Sequence, residues 1–176
     1  MPRVFVAAGG NVAPERYLPR ALAELEHRFG PLTVSPWYRN RAAGFEGEDF
    51  VNLVVGFDTE LPVAAVLEQL HAIETLCDRP RDAPRWAPRT MDLDILLYGD
   101  RISSEPGLVL PRPDLLRRAY MLGPLADIAP ALRHPAADAT IGELWARFDR
   151  AAHPLLRVEG ATSSRSDPRP RTGPDR

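Results

Sequence analysis

The sequence predicts an α+β domain in which helices pack on an antiparallel sheet, and three observations carry that expectation. Short apolar runs with strand character fall near residues 4–8, 32–38, 51–57 and 91–97. Apolar residues recur every three to four positions at 14–29, 62–77, 114–128 and 141–148, the spacing of amphipathic helices. Two strands follow one another between the first helices and two helices close the pattern, so the two types are segregated, which favours an α+β sandwich.

Residues 4–8 read as a buried strand, and 14–29 as a helix with Leu18, Leu22, Leu25 and Phe29 on one stripe. The runs 32–38 and 51–57 are two further strands, separated by a Gly-containing loop over 41–49. Pro62 opens a second helix, where the lone Cys77 shares an apolar stripe with Val63, Val66, Leu70 and Ile73 and reads as core filler. From 156 to 176 the chain is mostly Gly, Ser, Pro, Asp and Arg, which cannot offset its own ordering entropy. A domain over 1–155 and a disordered tail over 156–176 are expected.

The most informative stretch is 79–99, RPRDAPRWAPRTMDLDILLYG. In a strand, residues two apart share a face, so Asp92 and Asp94 project together while Met91, Leu93, Ile95 and Leu97 form the apolar face. Paired carboxylates suit a hard divalent cation, and Mg²⁺ usually takes one or two of them plus substrate phosphates. Arg79, Arg81, Arg85 and Arg89 are planar forks that grip phosphate oxygens, set in a loop that Pro80, Pro84 and Pro88 keep irregular. A solvated charged loop would account for the arginines. It does not account for Trp86, an indole that needs a ligand, a partner or the core edge to cover it.

Composition narrows the chemistry. A length of 176 residues is about one domain. All 22 basic residues are arginine, which excludes Schiff-base lysine chemistry and a P-loop lysine, and a net charge of −2 gives no nucleic-acid signature. One cysteine allows no internal disulfide, and no signal peptide or long apolar span is visible, so a cytoplasmic protein is expected.

The run Arg85-Trp86-Ala87-Pro88-Arg89-Thr90-Met91-Asp92-Leu93-Asp94-Ile95 resembles the signature of the 6-hydroxymethyl-7,8-dihydropterin pyrophosphokinases. Gly9-Gly10-Asn11, Ser35-Pro36-Trp37-Tyr38-Arg39, Phe50-Val51-Asn52, Leu110-Pro111-Arg112-Pro113 and Arg118-Ala119-Tyr120-Met121 follow the family order. The resemblance implies a ferredoxin-like, three-layer-type fold and transfer of the β,γ-diphosphate of ATP to a reduced pterin, with release of AMP, in folate biosynthesis. It implies two Mg²⁺ ions on Asp92 and Asp94, with Arg79 and Arg89 completing the catalytic set. It assigns Glu74, Arg81, Arg85, Trp86, Ile95, Arg112 and Arg118 to ATP, and Asn52, Tyr120, Phe50 and Ala43 to the pterin. The expected partners are these small molecules, with no nucleic acid or membrane, and the expected state is a monomer. The chain departs from the family pattern at Gly10, at Asn40–Ala43, and at Arg112 and Pro113, where a His and in some members a Tyr contact ATP.

Three alternatives compete. A metal-dependent nucleotidyltransferase keeps its Gly turn close to its Asp-x-Asp, whereas here more than eighty residues separate Gly10 from Asp92. A ferredoxin-like RNA-binding module should be basic, with aromatics on its central strands. A catalytically silent relative that only binds nucleotide or pterin would keep the motifs but release no AMP.

Overall fold

The computed structural model describes residues 1–41, 49–78 and 90–158. Among these, the elements run β1 (Arg3–Gly10), α1 (Pro14–Phe29), β2 (Thr33–Val34), β3 (Tyr38–Asn40), β4 (Phe50–Asp58), α2 (Val63–Leu76), β5 (Asp92–Tyr98), β6 (Ser103–Glu105), β7 (Leu108–Leu110), α3 (Ala119–Ile128), α4 (Ile141–Arg147) and β8 (Leu156–Arg157), with a 3₁₀ turn over Pro113–Leu116. The main sheet has the order β5-β1-β4-β3-β8, with β2 also on β4. Its pairings are antiparallel.

The fold is the expected α+β type with three layers. Val4, Val6 and Ala8 of β1 pack with α1 and α2, while Phe5 and Ala7 face α3 and α4. Because helices cover both faces, β4 reads as an almost continuous apolar run rather than an alternating one. Its Leu53, Val54, Val55 and Phe57 are fully buried. Each such side chain contributes roughly 1.5–3 kcal/mol by leaving water.

Local chemistry moves several expected boundaries. The run 32–38 splits into β2 and β3, because Pro36 cannot donate to the ladder. Ser35 fills part of the gap: its backbone N–H donates to the Val54 carbonyl, and its hydroxyl accepts from the Val54 N–H, each at 2.9 Å. The helix expected at 114–128 becomes the 3₁₀ turn followed by α3. The hairpin β6–β7 was not expected; it turns at Gly107, whose φ of 78° suits glycine. Leu156 and Arg157, assigned by sequence to the tail, instead pair with Arg39 and Tyr38. The Val158 N–H then donates to the Trp37 carbonyl at 2.9 Å. The rest of the proposed tail lies outside the described residues.

On β5 the register shifts: Phe5 pairs with Leu97 but Val6 pairs with Ile95, which leaves Leu96 as an extra residue. This bulge reverses the alternation. Leu97, expected beside Leu93 and Ile95, joins Leu96 on the α3 side, the same side as Asp94. The carboxylate face is therefore apolar and covered at one end and polar at the other.

Candidate functional site

At the polar end, cross-strand register assembles the site. Asp92 of β5 lies opposite Gly9 of β1, Gly9 opposite Asn52 of β4, and Asn52 opposite Tyr38 of β3. One step along, Asp94 pairs with Ala7 and Ala7 with Val54. Alternation puts all these side chains on the α3 face. The central strand thus offers only a methyl and a hydrogen beside Asp92, Asp94 and Asn52 of its neighbours, which opens a hollow in the sheet. The resulting cleft, about 290 Å³, is lined by Ala7, Ala8, Gly9, Asn40, Phe50, Asn52, Asp92, Asp94, Tyr120 and Met121. Its two polar sides are two strand spacings apart, about 10 Å.

On the acidic side one arginine faces two carboxylates. Arg112 lies 3.5 Å from Asp94 and 3.6 Å from Asp114. Its backbone N–H donates to the Leu96 carbonyl at 2.9 Å, which ties the segment after β7 to β5 at the bulge. Glu74 reaches β5 from α2: its Oε2 accepts from the Leu93 N–H at 3.1 Å and covers part of the open side of this edge strand. Among the described residues no group of three or more His, Cys, Asp and Glu gathers. Two strand-borne carboxylates still fit Mg²⁺, which leaves most of its coordination to phosphate oxygens and water.

On the other side Asn52 is buried and Asn40 half-buried, and the Asn52 Nδ2 donates to the Asn40 Oδ1 at 2.5 Å. Asn52 does not sit on an edge strand, since β4 pairs with both β1 and β3. Tyr120, in the first turn of α3, forms a wall of the cleft. Burial raises its hydroxyl pKa above the ordinary value; Arg118 and Arg112 oppose the rise, while Asp114 and Asp94 add to it. The tyrosine is thus a neutral ring with its hydroxyl among the charges of the acidic side. The Tyr38 hydroxyl donates to Asp127 of α3 at 2.5 Å, and burial plus that bond pushes its pKa up to about 12. That bond ties β3, and with it Asn40, to the helix that carries Tyr120.

Of the residues expected from sequence, Asp92, Asp94, Asn52, Phe50 and Tyr120 meet in this cleft. Arg112 joins them through Asp94. Arg118 is exposed at the N-terminal end of α3, within electrostatic reach of the Tyr120 hydroxyl. Glu74 faces the β5 backbone rather than the cleft lining. The Ile95 side chain lies in the core with α1 and α2, so any ligand contact by that residue is through its main chain. Ala43, Arg79, Arg81, Arg85, Trp86 and Arg89 fall outside the described residues. Sequence reasoning gave no ligand role to Ala7, Ala8, Gly9, Asn40 and Met121, which also line the cleft. The small pair Ala7 and Gly9, two apart on a strand, was the available signal for a hollow.

Fold and cleft together define a small α+β domain whose sheet sets a carboxylate pair across a cleft from a buried asparagine. The family pattern of 7,8-dihydro-6-hydroxymethylpterin-pyrophosphokinase (HPPK) matches residues 5–130, and the chain belongs to that family. It is 42% identical over 137 residues to the 2-amino-4-hydroxy-6-hydroxymethyldihydropteridine pyrophosphokinase of Pseudomonas aeruginosa, covering 76% of this chain and 84% of the relative. Against the enzyme of that name from Haemophilus influenzae it is 33% identical over 162 residues, covering 90% and 99%. A solved Plasmodium falciparum HPPK-DHPS wild-type chain with SDX-DHP superposes with a TM-score of 0.64 at 15% identity, over 83% of this chain and 43% of the solved one. That likeness concerns the fold, and the chain spans less than half of the solved polypeptide.

Proposed function

We infer that this protein transfers the diphosphoryl group of ATP to the hydroxymethyl group of 6-hydroxymethyl-7,8-dihydropterin, giving AMP and the pterin diphosphate, a step of folate biosynthesis. One observation carries the reading: the carboxylates Asp92 and Asp94 and the amide of Asn52 line one cleft, with only Ala7 and Gly9 between them. A flat ring held at Asn52 brings a side arm across the small residues to phosphates held at the carboxylates.

In this reading Asp92 and Asp94 hold Mg²⁺, two ions by family resemblance, and the metal supplies charge neutralisation on the phosphates and activation of the hydroxyl. Arg112 and Arg118 approach the nucleotide phosphates from the acidic side. Arg79, Arg81, Arg85 and Arg89 add donors to the ATP phosphates, and Trp86 covers the bound substrates and excludes water; the motif in which they stand supports those roles. Tyr120 stacks on the pterin, Phe50 and Ala43 flank it, and Asn52 pairs with its polar edge. Catalysis rests on in-line positioning and charge stabilisation. The proposed enzyme works as a cytoplasmic monomer; no helix among the described residues is long and apolar enough to cross a membrane.

The test is incubation with ATP, Mg²⁺ and 6-hydroxymethyl-7,8-dihydropterin, followed by chromatography. AMP and pterin diphosphate should appear together and only with all three components. ADP in place of AMP would overturn the reaction, and ATP binding without either product would identify a silent relative.

A further inference from the structure

The orientation of the Asn52 amide follows from a chain of hydrogen bonds that starts at a backbone carbonyl. The Arg41 carbonyl can only accept, so the end of the Asn40 amide that meets it, at 3.2 Å, is the Nδ2 donor. The other end of Asn40 is then its Oδ1, an acceptor, and the group of Asn52 that meets it must be the Nδ2 donor. That leaves the Asn52 Oδ1 on the far side, and it lies across the central strand: a Cβ built on Gly9 would stand 2.0 Å from it. Backbone register provides the reach. Asn40 is directly opposite Phe50 on β4, so Asn52 is its diagonal neighbour on the same face.

We propose that Asn40 is the positioning residue for ring recognition: it does not need to touch the substrate, and it sets which end of the Asn52 amide the cleft offers. Resting on the function proposed above, the inference specifies the ring edge. With Asn52 Nδ2 held by Asn40, the amide presents its carbonyl oxygen and one remaining N–H side by side. The matching ligand edge carries an N–H donor next to an acceptor, as in the amidine or lactam edge of a heterocycle. A ring with the reversed order would leave two donors and two acceptors facing each other, which a buried site penalises strongly. Gly9 belongs to the same device, since a side chain there would force the amide out of the plane in which it lies.

The experiment compares the native chain with Asn40→Ala and Asn40→Asp, using titration with 6-hydroxymethyl-7,8-dihydropterin, separate titration with ATP and Mg²⁺, and steady-state kinetics. A carboxylate can only accept, so Asn40→Asp keeps the bond from Asn52 Nδ2, and with it the amide orientation, while giving up the bond to the Arg41 carbonyl. Asn40→Ala should weaken pterin binding about tenfold and raise the pterin KM to match, with kcat and ATP affinity within about twofold, and Asn40→Asp should recover most of the pterin affinity. In ¹⁵N spectra the Asn52 side-chain amide should shift in Asn40→Ala and much less in Asn40→Asp. Native-like pterin binding by Asn40→Ala, or equal losses in both variants, would overturn the inference. Absence of pterin binding by the native chain would overturn the function proposed for the cleft and this inference with it, an outcome distinguishable because it needs no variant.

Discussion

Arg112→Gln removes a cation that faces Asp94 while keeping a hydrogen-bonding side chain of similar length. At the observed 3.5 Å, Coulomb's law gives about 1 kcal/mol in bulk water and about 5 kcal/mol at an effective dielectric constant of 20. Both side chains are about one-third exposed, 35% and 31%, and no hydrogen bond of good geometry joins them, so the lower figure governs. In the free protein Arg112 therefore competes with a metal ion for Asp94 at a cost to the metal of about 1 kcal/mol, about fivefold in affinity. Calorimetric titration with Mg²⁺ without nucleotide should show the variant binding about fivefold more tightly, whereas ATP titrated without metal should bind it more weakly. Arg133→Gln removes the same charge from a surface pair with Asp138 outside the cleft and should leave both affinities unchanged. An unaltered metal affinity in folded Arg112→Gln would refute the competition, and an equal gain in Arg133→Gln would reduce it to net charge.

Three further outcomes are expected. Asp94→Asn should abolish AMP release while the melting temperature stays within a few degrees, because the carboxylate stands at the polar end of β5 rather than in the core; unfolding of the variant, seen by circular dichroism, would mark a structural role instead. Leu122→Ala deletes a side chain that is 1% exposed between the sheet and α3, and should cost about 2–5 kcal/mol in urea unfolding. Burial lowers the pKa of His134 below its ordinary 6.5, and its Nδ1 accepts from the Ala136 N–H, so the neutral imidazole is the native form. The unfolded state therefore takes up the proton first: the stability from His134 is present above pH 6.5 and declines as pH falls below it, a dependence that should flatten in His134→Gln.

Much of this was legible in the chain because it follows from local rules. Helix α1 runs over the 14–29 that its stripe of Leu18, Leu25 and Phe29 predicts, and Asp92 and Asp94 share a face because strands alternate. The motif around them carried the family. The cleft's membership was harder: Asn52 and Tyr120 were assigned by family resemblance, whereas Asn40 matters only once β3 is seen in register with β4.

The sequence by itself determined the fold class, the strand that carries the acidic pair and the chemistry an all-arginine, lysine-free chain can use. Only tertiary structure decided that Leu97 turns to the Asp94 side at a bulge, that Arg112 faces Asp94, and that a chain of hydrogen bonds from the Arg41 carbonyl orients the Asn52 amide. The reason is physical: periodicity fixes which face of an element a residue occupies, but pairing register and packing, summed over segments far apart in the chain, fix which faces meet.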